Sequence, residues 1–268
     1  MEVILASKAG FCFGVKRAVD KAFEEAEKKI NSDSGDSSAV FTFGPIIHNE
    51  EVTKRLKEKG VNVIESTDEI KNLPAGTRII IRSHGVGKDI YKIIEENGLQ
   101  IVDATCPFVS NIHKIVSEQS EKGDVILIIG NPGHAEVEGT IGWSGDETYV
   151  INSVDDIRAL PDIKDRNITV VSQTTYSLKK FQELVAELQD IYYNVNVCKT
   201  ICNATEERQK EAEELSSSVD AMIVIGGRNS SNTQKLYEIS RQQCNNTYYI
   251  QTLDDLDLTV FESASRVG

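Results

Sequence analysis

The chain has 268 residues, 40% hydrophobic and 26% charged, with a formal net charge of −13. That balance fits a globular protein of two domains or of several small ones, and the acidity argues against sequence-independent nucleic-acid binding, which needs a basic face. The longest apolar runs, such as residues 125–129, fall far short of a membrane helix, and five cysteines in this length do not make a disulfide scaffold.

In chain order, residues 1–6 read as a strand with an acid at position 2 and no signal-peptide charge pattern, which points to the cytoplasm. After Cys12, Val15, Ala18, Val19, Ala22, Phe23 and Ala26 recur at the spacing of an amphipathic helix. The run from Val40 to Phe43 reads as a strand and ends in Gly44-Pro-Ile-Ile-His-Asn49. A helix, a strand and an acidic turn at 66–70 lead to the run from Ile79 to Ile81, which ends in Arg82-Ser-His-Gly85.

The same series then begins again. Cys106 precedes a helix striped by Phe108, Ile112, Ile115 and Val116. The run 125–129 ends in Asn131-Pro-Gly-His134, and an acidic turn at 153–157 leads to the run from Thr169 to Val171, which ends in Ser172-Gln-Thr-Thr175. Cys202 opens a third series with a weaker stripe of Ala204, Arg208, Ala212 and Leu215, then a strand to Ile225, the polar cluster Arg228-Asn-Ser-Ser-Asn232 and an acidic turn at 252–256.

The repeat predicts an α/β protein of three pseudo-threefold-related units, 13–104, 105–200 and 201–268 together with 1–12. By analogy with the first two units, a strand and a polar loop should follow residues 261–268, so the third unit is expected to lack its last strand and loop. Polar ends of parallel strands collect on one side of a sheet, where ligands bind. Three units would therefore gather their loops and cysteines around one axis.

Cys12, Cys106 and Cys202 stand 94 and 96 residues apart, one per unit, each just before a helix. A helix N-terminus favours the thiolate that metals require. Three thiolates without local Cys-x-x-Cys pairing argue against structural zinc and suit an iron–sulfur cluster with one iron left free for substrate. Cys198 and Cys244 have no repeat partners and read as buried small residues, with Cys198 a stray candidate ligand.

His48, His84 and His134 fall in matched strand-end loops and read as anion ligands or proton donors; His113, on a helix, reads as a surface or packing residue. Ser230, Ser231 and Asn232 before a helix make a phosphate cradle or an ordinary N-cap. Glu136 and Glu138 are both candidate proton donors, between which spacing does not choose. Thr174 and Thr175 read as hydrogen-bond relays or strand-end polar groups.

Taken together, Gly10-Phe-Cys-Phe-Gly-Val-Lys-Arg-Ala18, Ile81-Arg-Ser-His-Gly-Val86, Asp103-Ala-Thr-Cys-Pro107, Gly133-His-Ala-Glu-Val-Glu-Gly-Thr140, Ser172-Gln-Thr-Thr175, Thr200-Ile-Cys-Asn-Ala-Thr205 and Asn229-Ser-Ser-Asn232 carry a resemblance over essentially the whole chain. It resembles the 4-hydroxy-3-methylbut-2-enyl diphosphate reductases of the non-mevalonate isoprenoid pathway. The resemblance implies a trefoil around one [4Fe–4S] cluster held by Cys12, Cys106 and Cys202. It implies an allylic diphosphate held by His48, His84, His134, Ser230, Ser231 and Asn232, its hydroxyl on the open iron and beside Thr174, and Glu136 as proton donor. It also implies reduction to isopentenyl and dimethylallyl diphosphates, with an electron donor such as ferredoxin or flavodoxin and no membrane or nucleic-acid partner. That family continues into a Gly-Ala-Ser loop for which Ser263 and Ser265, lying upstream, do not substitute.

Overall fold

The computed structural model describes residues 1–30 and 39–268. Its elements alternate along the chain: β1 (Glu2–Val3), α1 (Phe13–Ile30), β2 (Val40–Phe43), α2 (Glu50–Glu58), β3 (Val61–Ile64), α3 (Thr67–Lys71), β4 (Arg78–Ile81), α4 (Lys88–Glu96) and β5 (Gln100–Asp103). The second stretch runs α5 (Pro107–Glu121), β6 (Val125–Ile129), α6 (Ala135–Ile141), β7 (Thr148–Ile151), α7 (Val154–Arg158), β8 (Ile168–Ser172), α8 (Leu178–Ile191) and β9 (Val195–Val197). The third is α9 (Asn203–Ser216), β10 (Met222–Ile225), α10 (Ser231–Gln243), β11 (Thr247–Ile250) and β12 (Arg266–Val267).

Among the described residues every strand pairing is parallel. Sheet one has the order β3-β2-β4-β5 and sheet two the order β7-β6-β8-β9. β6 and β8 are buried along their whole length, as strands covered by helices on both faces must be. This is why residues 125–129 are continuously apolar rather than alternating.

The third sheet corrects the expectation of a missing last strand. Residues 266–267 form β12, which pairs with β1. On its other side Ala221 bridges Val267, and the Ile223 amide donates to the Gly268 carbonyl at 2.9 Å. The order is therefore β11-β10-β12-β1, the same as in the other two sheets. Sequence reasoning placed this strand beyond Gly268 because Arg266-Val267-Gly268 carries too short an apolar signal to stand out. Its pairing partner, β1, comes from the far end of the chain.

α1 is tied to sheet one by an ion pair away from the strand-end loops. Glu25 meets Arg78 at 2.6 Å, both largely buried. Removing one partner leaves the other charged and buried, so Glu25→Ala should cost about 3–5 kcal/mol. Its denaturant midpoint should fall accordingly. Among the described residues, no helix is long and apolar enough to cross a membrane.

Candidate active site

Each cysteine follows the edge strand of its sheet: Cys12 after β1, Cys106 after β5 and Cys202 after β9. Cys106 and Cys202 are the N-cap residues of α5 and α9, and the Cys12 carbonyl accepts the first helical bond of α1 from Lys16. A strand leading directly into a helix N-terminus is the local pattern that exposes a thiol to backbone N–H groups.

The thiols converge. A methyl group on Gly14, two residues past Cys12, would overlap the Cys106 sulfur. Burial pushes the Cys106 pKa up and the nearby thiols of Cys12 and Cys202 add to the rise. The amides of Phe108 and Val109 oppose it, although neither closes a capping hydrogen bond of ordinary geometry.

Three soft donors brought together from three separate loops are the ligand type that soft metals and iron–sulfur groups take. Cys198 takes no part: it packs beside Trp143 and Ile115, and Cys244 packs with Met222 and Val224.

The loops after β2, β4 and β6 bring His48, His84 and His134 together. Their ring centroids lie 4.5–5.9 Å apart, and one nitrogen of each lies within 4.8 Å of the others. Burial lowers the pKa of all three, His134 to about 4, with Arg82 lowering each further. They are therefore neutral at pH 7, each with one donor and one acceptor. His134 Nδ1 accepts the Glu136 amide at 3.1 Å, which leaves its Nε2–H free to donate. His84 Nδ1 is buried without a partner. Such a trio can hold a divalent cation or an anion. The neighbouring guanidinium of Arg82 favours the anion.

Close approaches between backbones close the site. A Cβ on Gly142 would come within 2.5 Å of the Gly87 Cα, and Trp143 Nε1 donates to the Val86 carbonyl at 2.8 Å, locking α6 to the loop that carries His84. A Cβ on Gly227 would overlap the His48 carbonyl oxygen, so the N-terminus of α10 sits against the His48 loop. Ser230 caps that helix, and Ser231 accepts from Gln173 Nε2 at 3.1 Å. Gln173 also takes the Asn131 amide at 3.0 Å and so ties the second sheet's loops to the third's. Gly227→Ala should force these loops apart at an overpacking cost of about 1–3 kcal/mol. Steady-state kinetics should show KM rising more than kcat falls.

Glu136 and Glu138, equivalent by spacing, are separated by the structure. Glu138 is exposed and takes the Gly133 amide at 3.2 Å. Glu136 is buried, its carboxylate accepting the Thr174 amide at 2.5 Å and the Thr174 hydroxyl at 2.8 Å. Burial raises its pKa to about 7 against the opposing pull of Thr174. The Thr174 carbonyl in turn accepts the Cys202 amide at 3.1 Å. Glu136 thus lies between the imidazole cluster and one of the thiols. Among the described residues, Thr175 accepts only Gln173 Nε2, a structural bond.

Of the two readings of His113, surface or packing, the structure takes the second: it is buried, stacked on Trp143 at 5.3 Å. It lies seven residues, two helical turns, beyond Cys106, on the same face as Val109, Ile112 and Val116, which was the available signal. Gln173 and Arg82 stood inside the quoted strand ends without an assigned role.

The family model for LytB protein matches residues 3–268. The chain belongs to the LytB family. LytB proteins are iron–sulfur enzymes, in keeping with the three converging thiols. The 4-hydroxy-3-methylbut-2-enyl diphosphate reductase of Caldanaerobacter subterraneus subsp. tengcongensis is 43% identical to this LytB chain over 273 residues, covering all of the chain and 90% of the relative. The solved E-1-hydroxy-2-methyl-but-2-enyl-4-diphosphate reductase of Plasmodium falciparum superposes with a TM-score of 0.90 at 27% identity, over 99% of this chain and 81% of its own. A second solved structure, (E)-4-hydroxy-3-methyl-but-2-enyl diphosphate reductase, described as the terminal enzyme of the non-mevalonate pathway, gives 0.70 at 38% identity, over all of this chain and 92% of its own. The expected α/β trefoil is thus the LytB fold.

Proposed function

We propose that this LytB protein reduces 4-hydroxy-3-methylbut-2-enyl diphosphate to isopentenyl and dimethylallyl diphosphates. The observation that carries this reading is the position of Glu136, a buried acid joined through its amide to His134 and through Thr174 to Cys202. An anion site, a proton donor and a set of soft metal ligands meet there in that order.

Cys12, Cys106 and Cys202 would hold one [4Fe–4S] cluster, which when bound supplies electrons singly and an iron with a free coordination position. His48, His84 and His134 would donate hydrogen bonds to the diphosphate, and Ser230, Ser231 and Asn232 would offer it hydroxyls, amide groups and the N-terminus of α10. Fixing the diphosphate end orients the allylic alcohol toward Thr174 and Glu136. Glu136, protonated up to a pH of about 7, gives its proton to the departing hydroxyl, so that the C–O bond breaks and water leaves. Two electrons and a second proton, delivered to an allylic carbon, complete the balance. The electrons come from a carrier such as ferredoxin or flavodoxin; Phe11, Phe13 and Phe108, exposed near Cys12 and Cys106, offer it an apolar surface. We place the enzyme in the cytoplasm and divide it into units 13–104, 105–200 and 201–268 with 1–12.

Anaerobic purification with iron and sulfide counting, followed by a reduced-viologen assay, tests this reading. Cluster-loaded protein should oxidise viologen only when the hydroxylated diphosphate is added, releasing the two products. Loaded protein that leaves both viologen and substrate unchanged would refute it.

A further inference from the structure

A diphosphate carries several negative charges, and the groups assigned to hold it carry none. The three imidazoles are neutral at pH 7, packed too closely for all to be protonated together. Serine, asparagine and a helix N-terminus contribute dipoles only. The whole chain is acidic, with a net charge of −13, so its overall field does not draw an anion in.

Arg82 lies where a countercharge is needed. It is the first residue after β4, two before His84. The next residue, Ser83, donates its amide to the Ile46 carbonyl at 3.1 Å, which holds the Arg82–His84 loop alongside the Ile46–His48 loop. The Arg82 side chain lies across Gly44, where a Cβ would come within 2.6 Å of Nη1 and 3.2 Å of Cδ. Gly44, with φ of +69°, ends β2 and leaves the room that the guanidinium occupies.

The side chain is only partly exposed, and among the described residues no carboxylate forms an ion pair with it within 4.0 Å. Among the described residues the side chain's one hydrogen bond is a long one, from Nε to the Gly85 carbonyl at 3.4 Å. Glu65, the facing acid, is solvent-exposed and therefore screened. Arg82 is also the cation whose charge is felt by all three histidines. A guanidinium that is partly buried, nearly unpaired and always charged is costly unless an anion arrives beside it.

We infer that Arg82 supplies the fixed positive charge of the diphosphate site, acting across the imidazole cluster to set affinity for the doubly phosphorylated end of the substrate. This assignment rests on the diphosphate reading given above. It separates two jobs: the imidazoles, serines and asparagine give direction, and Arg82 gives charge. It follows that Arg82 favours diphosphate over monophosphate, since attraction grows with the charge of the ligand.

The test is calorimetric titration of anaerobically purified, cluster-loaded protein with inorganic diphosphate and inorganic phosphate, at low and high salt. Arg82→Met should weaken diphosphate binding on the order of tenfold and flatten its salt dependence, with a smaller effect on phosphate. Arg82→Lys, which keeps the charge, should stay within about threefold of the parent. Diphosphate affinity unchanged in Arg82→Met would overturn the inference. So would equal losses in the Met and Lys variants, because packing over Gly44 would then explain both. Should Arg82→Met lose its cluster or its fold, Arg82→Gln, which keeps a donor and drops the charge, is read by the same titration. A parent protein that binds no diphosphate would instead sink the diphosphate reading, and the role of Arg82 with it.

Discussion

Replacing Glu136 by glutamine should lower turnover by roughly 10²–10⁴-fold, the usual contribution of a general acid, while iron content and diphosphate binding stay near those of the parent. Glutamine can accept the Thr174 amide through its oxygen and donate to the Thr174 hydroxyl through its nitrogen, so both bonds of the carboxylate survive in form. What is lost is the proton. Near-parental kcat in this variant would remove Glu136 from the mechanism. Glu138→Gln, at an exposed position, should leave kcat within a factor of about two.

The same residue fixes the sign of a pH effect. Its carboxyl holds a proton up to a pH of about 7 when folded and releases it near 4.5 when unfolded. The folded state therefore binds the extra proton between these values. The associated stability is fully present below about pH 4.5 and is lost as pH rises through 7, a difference of about 3 kcal/mol. Turnover should fall on the alkaline side as the acid is consumed. Glu136→Gln should show no such decline in stability and should melt higher than the parent at pH 8 but not at pH 4.5. Parallel melting curves at both pH values would contradict the raised pKa.

Replacing Cys106 by serine is the second large effect. It exchanges the soft donor proposed as a cluster ligand for a hard one at an N-cap whose geometry serine readily adopts, so the helix should persist while the metal does not. Iron and sulfide per chain should fall, and turnover should drop by more than the roughly 10–100-fold that changes behind a metal's ligands produce. Cys12→Ser and Cys202→Ser should behave alike. Cys198→Ser and Cys244→Ser, at thiols that pack in apolar clusters and do not act on Cys106, should retain iron and activity. Full iron in Cys106→Ser, or its loss in Cys198→Ser, would redraw the ligand set.

Much of this was legible in the sequence because the protein repeats itself. A strand ending in a polar loop leaves a periodic mark, and three copies of that mark place three cysteines in register, with two histidine loops in the first copy and one in the second. Close approach leaves no such mark. Nothing in Gly227 or Gly142 announces that a neighbouring backbone sits where a side chain would go. Glu136 and Glu138 look alike in one dimension. They differ because the first turn of α6 points one into the protein and the other out. β12 stayed hidden because two residues carry no period and their partner strand lies at residues 2–3.

That pairing has a kinetic meaning. β1 must wait for residues 266–268 to be made before it has a neighbour, and Cys12 follows it after residues 4–11, a segment held by Arg208 and Glu211 of α9. Sheets one and two, by contrast, are built from strands close together in the chain and can assemble while synthesis continues. Two of the three thiols can therefore be in place once residue 202 has been made, before β1 behind Cys12 has its pairing partner. Completion of the proposed ligand set then waits on the contact of residues 2–3 with 266–267. An apo chain waiting at that stage would expose the unpaired edge of sheet three.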